Sequence, residues 1–291
     1  MSLPEINIVH TVMNEHGAVF DDVIELVIDC LEQLGLKVHR STNHFDGKKL
    51  NLVIGHTAFL NEATYEAIQR SKCRYVVFQM EALDERIGLA PQFPLYLEFL
   101  RLAPWVWDYS LRNVSFLAAQ GCRNLQCIPL GYSRRLERIV HAPLKDIDVC
   151  FYGACNRRRG VVLDALAARV RLEVIFGAYG RERDQAIARS KIVLNLHQFD
   201  TSQLEQVRLS YLLNNHCFVI SESSESNPYG DGVVFSDYDR IVESCISHLR
   251  PEMDLARAGI ADAGYGKLQE IPMVANIRSA LELLEGMASR G

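Results

Sequence analysis

The sequence has little of what marks disordered, membrane-spanning or secreted proteins. It holds 18 glycines and 9 prolines among 291 residues, and no apolar run approaches the roughly 20 residues that span a bilayer. The N-terminus shows no basic region followed by an apolar stretch, so no signal peptide is expected. We therefore expect a folded cytoplasmic protein, and the hydrophobic content of 48% is ample for its cores.

Signatures of metal and disulfide chemistry are also missing. The eight cysteines include no Cys-x2-Cys pair, and several lie inside apolar runs, which is typical of buried reduced thiols. No clustered set of metal ligands stands out. The sequence therefore predicts a protein that needs no metal and no resident cofactor.

Strand and helix patterns alternate along the chain. Buried strands are predicted by apolar runs such as INIVHTVM and KIVLNLHQF, with helical spacing between them. Such alternation indicates parallel sheets covered by helices. The rhythm breaks near Tyr132, so we predict an α/β protein of two Rossmann-like doubly wound domains facing a cleft, over 1–140 and 146–272. A last helix over 273–291 is expected to pack back on the first domain.

Positive charge is concentrated in one part of a chain whose net charge is −5. The stretch from Cys150 to Lys191 is net +5, which leaves −10 for the rest. In DVCFYGACNRRRG, the three arginines Arg157 to Arg159 stand where a strand ends and a helix begins. The helix N-terminus favours an anion there, and arginine suits phosphate oxygens. The run predicts a phosphate or diphosphate site; the alternative is a solvated surface. Nucleic acid is disfavoured, because the basic stretch is short and lacks interleaved aromatics.

Further polar residues stand at the predicted strand and helix ends of the second domain. Glu205 and Arg208 lie three apart on one helix face, which suits either sugar hydroxyls or a surface ion pair. His197 follows a buried strand and points either to a ligand or into the core. Glu222 ends the next buried strand.

The second half of the chain resembles a known family. The run from Asp148 to about Leu249 is similar to the donor-binding domain of GT-B glycosyltransferases, and in particular to the "glycosyl transferases group 1" and CgeB-like relatives. The order and spacing of four blocks carry the resemblance, which covers about a third of the chain closely. The blocks are DVCFYGACNRRRGVVLDAL, ARSKIVLNLH, VRLSYLLNNHCFVISE and GVVFSDYDRIVESCISHL.

The resemblance implies a nucleotide-sugar donor, with UDP the expected nucleotide. It places Gly153, Asn156 and the arginines at 157–159 near the donor diphosphate. On the later helix the family has Arg-x-x-Glu, whose glutamate contacts the nucleotide ribose. Here that motif begins at Arg208 and carries Tyr211 in place of the glutamate. Glu205 or Glu222 would then substitute for it.

Transfer with inversion needs a general base near the acceptor hydroxyl. The loop after the first strand offers Asn14, Glu15, His16 and Gly17 on the acceptor side, and His16 has a suitable ordinary pKa. Two further candidates are Glu81 and Asp108, which stand near the ends of predicted strands. Each of the three has a structural alternative, such as capping a helix. A retaining enzyme needs no such base, and the sequence leaves the stereochemistry open.

The sequence thus predicts a metal-independent glycosyltransferase that moves a sugar from a nucleotide-sugar donor to an acceptor hydroxyl. The acceptor class stays open among a glycan, a metabolite, a peptide and a modified base. Two alternatives remain. One is a non-catalytic nucleotide- or glycan-binding module on the same fold, and the other is a nucleotide-sugar epimerase.

Overall fold

The chain divides into two compact units. Unit 1 comprises Met1–Leu130 with Pro272–Gly291, and unit 2 comprises Gly131–Ile271. Each is built on a parallel sheet with helices, so the predicted α/β class is confirmed. The structure is a computed structural model that describes residues 5–13, 15–55, 57–84, 93–200 and 202–288, without the side chains of 15, 16, 58, 287 and 288.

Unit 1 contains a six-stranded sheet of order β2-β1-β3-β4-β5-β6, in which neighbouring strands are parallel. The last helix of the chain belongs to this unit and packs against its first helix. The elements are β1 (Ile6–Thr11), α1 (Asp21–Gln33), β2 (Val38–Thr42), β3 (Leu50–Gly55), α2 (Glu62–Ser71), β4 (Tyr75–Gln79), α3 (Phe93–Leu102), β5 (Val106–Asp108), α4 (Leu111–Ala119), β6 (Leu125–Cys127) and α10 (Met273–Ala288).

The strands of unit 1 are buried runs rather than alternating ones. Every residue of β1 and of β4 is buried, as expected where helices cover both faces of a parallel sheet. Helix α3 adds Phe99 to this core, and the ring of Tyr75 stacks on it at 5.5 Å. The apolar rhythm of the sequence therefore corresponds to real burial.

Unit 2 contains a five-stranded parallel sheet of order β11-β10-β9-β7-β8. Because the chain passes from β7 to β8 on one side and then to β9 on the other, the order reverses between β7 and β9. The elements are β7 (Ile147–Tyr152), α5 (Arg157–Ala167), β8 (Leu172–Ile175), α6 (Arg181–Ala188), β9 (Ser190–Asn195), α7 (Gln206–Asn214), β10 (Val219–Glu222), β11 (Val234–Ser236), α8 (Ile241–His248) and α9 (Asp254–Gln269).

The stretch that interrupts the apolar rhythm of the sequence is fastened to unit 2. The Oδ1 atom of Asn214 accepts from the backbone N–H of Ser133 (3.0 Å). The Oδ1 atom of Asn215 accepts from the N–H groups of Arg138 and Ile139, both at 2.8 Å. Side-chain amides thus accept hydrogen bonds from backbone N–H groups of a segment that has no sheet partner, and these bonds hold the segment against α7.

Within the described ranges, no helix combines the length and the apolar character needed to cross a membrane.

Candidate functional site

The candidate site of unit 2 lies at the point where its strand order reverses. In doubly wound sheets, the connections that leave the carboxyl ends of the two strands at this point run to opposite faces of the sheet, which leaves a crevice for a ligand. Here the two strands are β7 and β9, which are followed by Gly153 and by residues 196–198. The sequence-predicted anion site is therefore at the position where the topology makes room.

Gly153 turns the chain away from β7. Its φ of +125° is unfavourable for any residue with a side chain, and its N–H donates to the carbonyl of Ile175 (2.9 Å). Three residues on, Asn156 caps α5 by accepting from the N–H of Arg159 (2.9 Å) and donates to the carbonyl of Gln198 (2.5 Å). Asn156 thus ties this turn to the chain that follows β9, which is a structural role.

Arg157 is the first residue of α5 and is exposed. Its guanidinium has no hydrogen bond or ion pair with any residue that the structure describes. The first N–H groups of a helix lack intrahelical partners and carry partial positive charge. Arg157 therefore combines an uncommitted cation with a helix N-terminus.

Arg158 is committed to a carboxylate. It forms a bidentate ion pair with Glu222, in which Nη1 donates to Oε2 (2.7 Å) and Nη2 donates to Oε1. Nη1 also donates to the carbonyl of His197 (3.1 Å). Its guanidinium lies 4.2 Å from the ring centre of Tyr238. These contacts occupy both Arg158 and Glu222, so neither offers a free group to a ligand in this structure.

His197 lies in the interior rather than at the surface. It is 2% exposed. Its backbone N–H donates to Glu222 Oε2 (3.0 Å), and its ring Nε2–H donates to the carbonyl of Ser223 (3.1 Å). Of the two interpretations from the sequence, the geometry favours core packing. His197 holds β9 to the chain beyond β10.

Arg159 is buried and holds the crevice together. It is 2% exposed and donates to the carbonyls of Leu196 (3.0 and 2.6 Å) and Ala154 (2.8 Å). A further bond joins its Nη2 to Glu205 Oε1 (3.1 Å). Glu205 therefore serves as an internal counter-ion. Its second oxygen, Oε2, is buried without a hydrogen bond from any described residue and lies 3.5 Å from Arg208 Nη1.

Arg208 reaches from α7 toward the turn after β7. Its Nη1 donates to Asn195 Oδ1 (3.1 Å), and its guanidinium lies 4.9 Å from the ring centre of Tyr152. A Cβ atom placed on Gly153 would stand 2.8 Å from Arg208 Nη2. Arg208 is thus held from one side and presents its other side to the backbone of the turn.

Tyr211 packs against two other arginines. It is 2% exposed, with the guanidinium of Arg183 4.1 Å from its ring centre and that of Arg138 at 5.2 Å. Three residues after Arg208, it lies in the interior between two cations. The position at which the resemblance implies a ribose contact is therefore occupied by a packed aromatic ring.

The predicted acceptor-side loop of unit 1 follows β1, at the carboxyl edge where the strand order of that sheet also reverses. Gly17 is buried and its carbonyl accepts from His10 Nε2–H (3.0 Å), while a Cβ there would stand 2.6 Å from Val12 Cγ1. Glu15 and His16 belong to a short 3-10 helix over Glu15–Phe20. Asn14 and the side chains of Glu15 and His16 lie outside the described residues.

The two carboxylates proposed as bases differ sharply in their surroundings. Asp108 is fully buried and accepts from Ser110 N–H (2.7 Å), Gln79 Nε2 (2.8 Å) and Asn113 Nδ2 (3.0 Å). Burial raises its pKa to about 8 although these bonds oppose the shift. With its acceptor sites filled and no exposed surface, Asp108 fits a structural role.

Glu81 stands just after β4 and is half-buried. Its backbone is fixed, because its N–H donates to Gln79 Oε1 (2.5 Å) and its carbonyl accepts from Gln79 Nε2 and Asn113 Nδ2. Its carboxylate, by contrast, has no hydrogen bond or ion pair among the residues that the structure describes, and burial raises its pKa. An uncommitted carboxylate with a raised pKa, carried on a fixed backbone, suits a general base, so the geometry favours Glu81 over Asp108.

Two residues that contribute to the site were not predicted from the sequence. Asn195, which positions Arg208, is a polar residue inside the apolar run KIVLNL, and that interruption is the signal that marks it. Tyr238, which stacks on Arg158 and donates to its carbonyl (2.7 Å), is 80 residues away in sequence and carries no local signal. In the described ranges, no group of three or more His, Cys, Asp or Glu side chains could hold a metal ion.

Comparison with known proteins gives distant relatives. No family model matches the chain. A curated relative is the uncharacterized protein R358 of Acanthamoeba polyphaga mimivirus, which is 34% identical over 149 residues, or 48% of this chain and 51% of that protein. The chain thus spans about half the length of this relative. Membership of the CgeB-like family stays a prediction.

Solved structures show the fold clearly. Anabaena Alr3699/HepE, determined with UDP and glucose, superposes with a TM-score of 0.67 and 12% identity, over 98% of this chain and 99% of that one. An alpha-glucosyltransferase, determined with UDP and a 13-mer DNA, gives a TM-score of 0.64 and 10% identity, over 97% and 100%. The chain therefore has the GT-B fold of these proteins, as the resemblance implied. At such identities the likeness shows the fold and no more.

Proposed function

We propose that this protein is a metal-independent glycosyltransferase that transfers a sugar from a nucleoside diphosphate sugar to an acceptor hydroxyl. The observation that carries the proposal is the approach of Arg208 to the positive-φ turn at Gly153, beside the N-terminus of α5 and the uncommitted Arg157. The proteins of the same fold were determined with UDP, which supports a donor of this class.

The residues around this turn suit a diphosphate leaving group. When the bond between the sugar C1 and the phosphate oxygen breaks, negative charge grows on the diphosphate. Arg208, which Asn195 holds, and the N–H groups of Arg157 and Arg158 at the start of α5 are donors already in place for that charge. The exposed side chain of Arg157 adds a further positive charge beside them. Arg158 and Arg159 contribute indirectly, because their carboxylate pairs keep the surrounding loops in place.

The acceptor oxygen forms the new bond to C1, and its proton passes to a base if the configuration inverts. Glu81 is our candidate in unit 1, since its carboxylate is uncommitted and its pKa is raised. We retain UDP as the first nucleotide to test.

One observation favours the non-catalytic alternative. Glu205 and Glu222, which would substitute for the glutamate missing at Tyr211, are both held by arginines. A ribose would have to displace one of these pairs or bind without a carboxylate. The alternative predicts nucleotide binding without sugar transfer.

The test is calorimetry of UDP, GDP, dTDP and UDP-glucose binding in the presence of a chelator. We expect one nucleotide to bind, and Arg208→Ala and Arg157→Ala each to weaken it roughly tenfold or more. Arg169→Ala is the matched control, because Arg169 lies just beyond the C-terminus of α5 and pairs with Glu243 on the surface. Nucleotide should also protect the exposed thiol of Cys155 from alkylation, since Cys155 lies between Gly153 and α5.

Turnover then separates the alternatives. A glycosyltransferase releases nucleoside diphosphate in step with glycosylation of an acceptor, and an epimerase converts the sugar nucleotide without one. Binding with neither reaction across glycan, peptide, metabolite and nucleic-acid acceptors would support the binding module. A folded protein that binds no nucleotide would contradict the proposal.

A further inference from the structure

A cavity lies in unit 2, near the amino end of β9 and away from the candidate donor site. Its volume is about 460 Å³, within the range of small-molecule sites. Lys191, in its wall, is the second residue of β9, whereas Asn195 of the candidate donor site ends that strand. Four residues of strand separate the two by roughly 13 Å. We call this space the amino-edge cavity; it is lined by the segment 142–145, by Lys191, His216 and Phe218, and by one face of α9.

The cavity has a regular construction. One wall is a single face of α9, because Asp254, Arg257, Ala258, Ala261 and Asp262 follow helical spacing of three and four residues. The segment 142–145 forms another wall and is anchored where the N–H of residue 142 donates to the carbonyl of residue 188 (3.0 Å).

Three of the four basic residues in the wall are paired. Lys191 Nζ lies 2.8 Å from Asp148 Oδ1, and His216 Nδ1 lies 3.0 Å from Asp262 Oδ1. The guanidinium of Arg257 donates to the carboxylate of Asp254 and to the carbonyl of residue 248. These pairs leave one basic group to account for.

Lys145 is the exception. Its ammonium has no hydrogen bond or ion pair with any residue in the described ranges, although the side chain is half-buried. Burial lowers its pKa, and the charge of Arg257 lowers it further. The neighbouring thiol of Cys217 does not compensate, because burial raises its pKa to about 12 and keeps it neutral. An ammonium withdrawn from water without a counter-ion is unfavourable, and an anionic ligand would offset that cost.

We propose that the amino-edge cavity binds a small organic anion. Its phosphate or carboxylate group would bind Lys145 beside Arg257, and its apolar part would contact Phe218, Ala258 and Ala261. This site is separate from the proposed donor site and does not depend on glycosyl transfer. It would take a second, non-nucleotide ligand.

The test is calorimetry of the whole protein with phenyl phosphate, benzoate, inorganic phosphate and phenol. We expect phenyl phosphate or benzoate to bind, and to exceed both inorganic phosphate and neutral phenol by about tenfold in affinity. The comparison of the first two probes identifies the preferred anionic group. Lys145→Met should weaken the binding at least tenfold, and Lys267→Met should leave it within twofold. Lys267 is the matched control, since it is on α9, outside the cavity, and pairs with Glu270.

The melting temperature of the ligand-free protein keeps the test independent of folding defects. Lys145→Met removes an unpaired, partly buried charge and should leave the melting temperature equal or higher. The proposal is overturned if no probe binds at up to about 10 mM, or if the Lys145→Met variant binds as tightly as the original protein. Equal affinity for inorganic phosphate and phenyl phosphate would overturn the organic part of the proposal.

Discussion

Nη2 of Arg208 lies against the backbone of Gly153, so closely that a methyl group on Gly153 would stand 2.8 Å from it. The two residues are 55 positions apart in sequence. Their contact places a cation from α7 at the turn that follows β7, on the crevice between β7 and β9. Glycine is thus required at this position for two reasons. It adopts the φ of +125°, and its lack of a side chain leaves space for the guanidinium of Arg208.

Gly153→Ala should therefore impair both stability and nucleotide binding. We expect a loss of about 1–2 kcal/mol in the free energy of unfolding, and nucleotide affinity lowered roughly tenfold because Arg208 must shift. Urea unfolding and calorimetry measure the two effects. Gly35→Ala is the control, since Gly35 has a φ of +76° but nothing within 4 Å of its Cβ position. If both variants bind nucleotide equally well, the contact with Arg208 has no role in binding.

Arg159 and Arg157, two positions apart on α5, should affect different properties. Arg159→Ala leaves the carboxylate of Glu205 and the carbonyl of Leu196 without their bonds, and should lower the free energy of unfolding by about 3 kcal/mol. Arg157→Ala removes an exposed side chain and should leave the unfolding midpoint unchanged while it weakens nucleotide binding. Urea unfolding and calorimetry of both variants check this. A stable Arg159→Ala protein would show that its bonds are dispensable.

Substitutions of Glu81 and Asp108, the two carboxylates of unit 1 proposed as bases, should also affect different properties. Glu81→Gln should keep stability and lower kcat by roughly 10²–10⁴-fold if Glu81 is the base. Asp108→Asn places an NH2 group against one of three donors and should lower the free energy of unfolding by about 1–3 kcal/mol. Urea unfolding and measurement of kcat, corrected for the fraction of folded protein, distinguish the two variants. Full activity of the Glu81→Gln variant would exclude it as the base.

Asp108 should also make stability depend on pH. Its folded pKa of about 8 is above its ordinary value of 3.8, so the folded protein binds the extra proton between these values. The stability that this carboxyl contributes is complete below about pH 4 and is lost as pH rises through about 8. The destabilisation caused by Asp108→Asn should thus be larger at pH 5 than at pH 9. Urea unfolding at both pH values measures it, and an equal difference would contradict the raised pKa.

The sequence predicted the strand, turn and helix start at the candidate anion site better than the contacts of each residue there. The block DVCFYGACNRRRG locates a strand, a turn and a helix start, and local patterns suffice for these. Which arginine stays uncommitted was not readable. Adjacent residues on a helix point in different directions, so Arg157 faces solvent, Arg158 meets Glu222 and Arg159 enters the core.

The resemblance likewise located a helix but not the contacts of its residues. The sequence shows only that Tyr211 replaces a glutamate. The structure shows its ring between Arg183 and Arg138, which approach it from α6 and from the segment fastened to α7. Such partners come from distant parts of the chain, and no local pattern encodes them.

By itself, the sequence determined the alternation of strands and helices and the cluster of positive charge at one strand–helix junction. Both follow from local physics, namely the periodicity of apolar residues and the chemistry of a helix N-terminus. Only the tertiary structure decided which charges are paired. Arg208 reaches Gly153, Glu205 is held by Arg159, and Lys145, in the wall of its cavity, has no counter-ion among the residues that the structure describes. Pairing depends on distances between residues that are far apart in sequence, and those distances exist only once the sheets have formed.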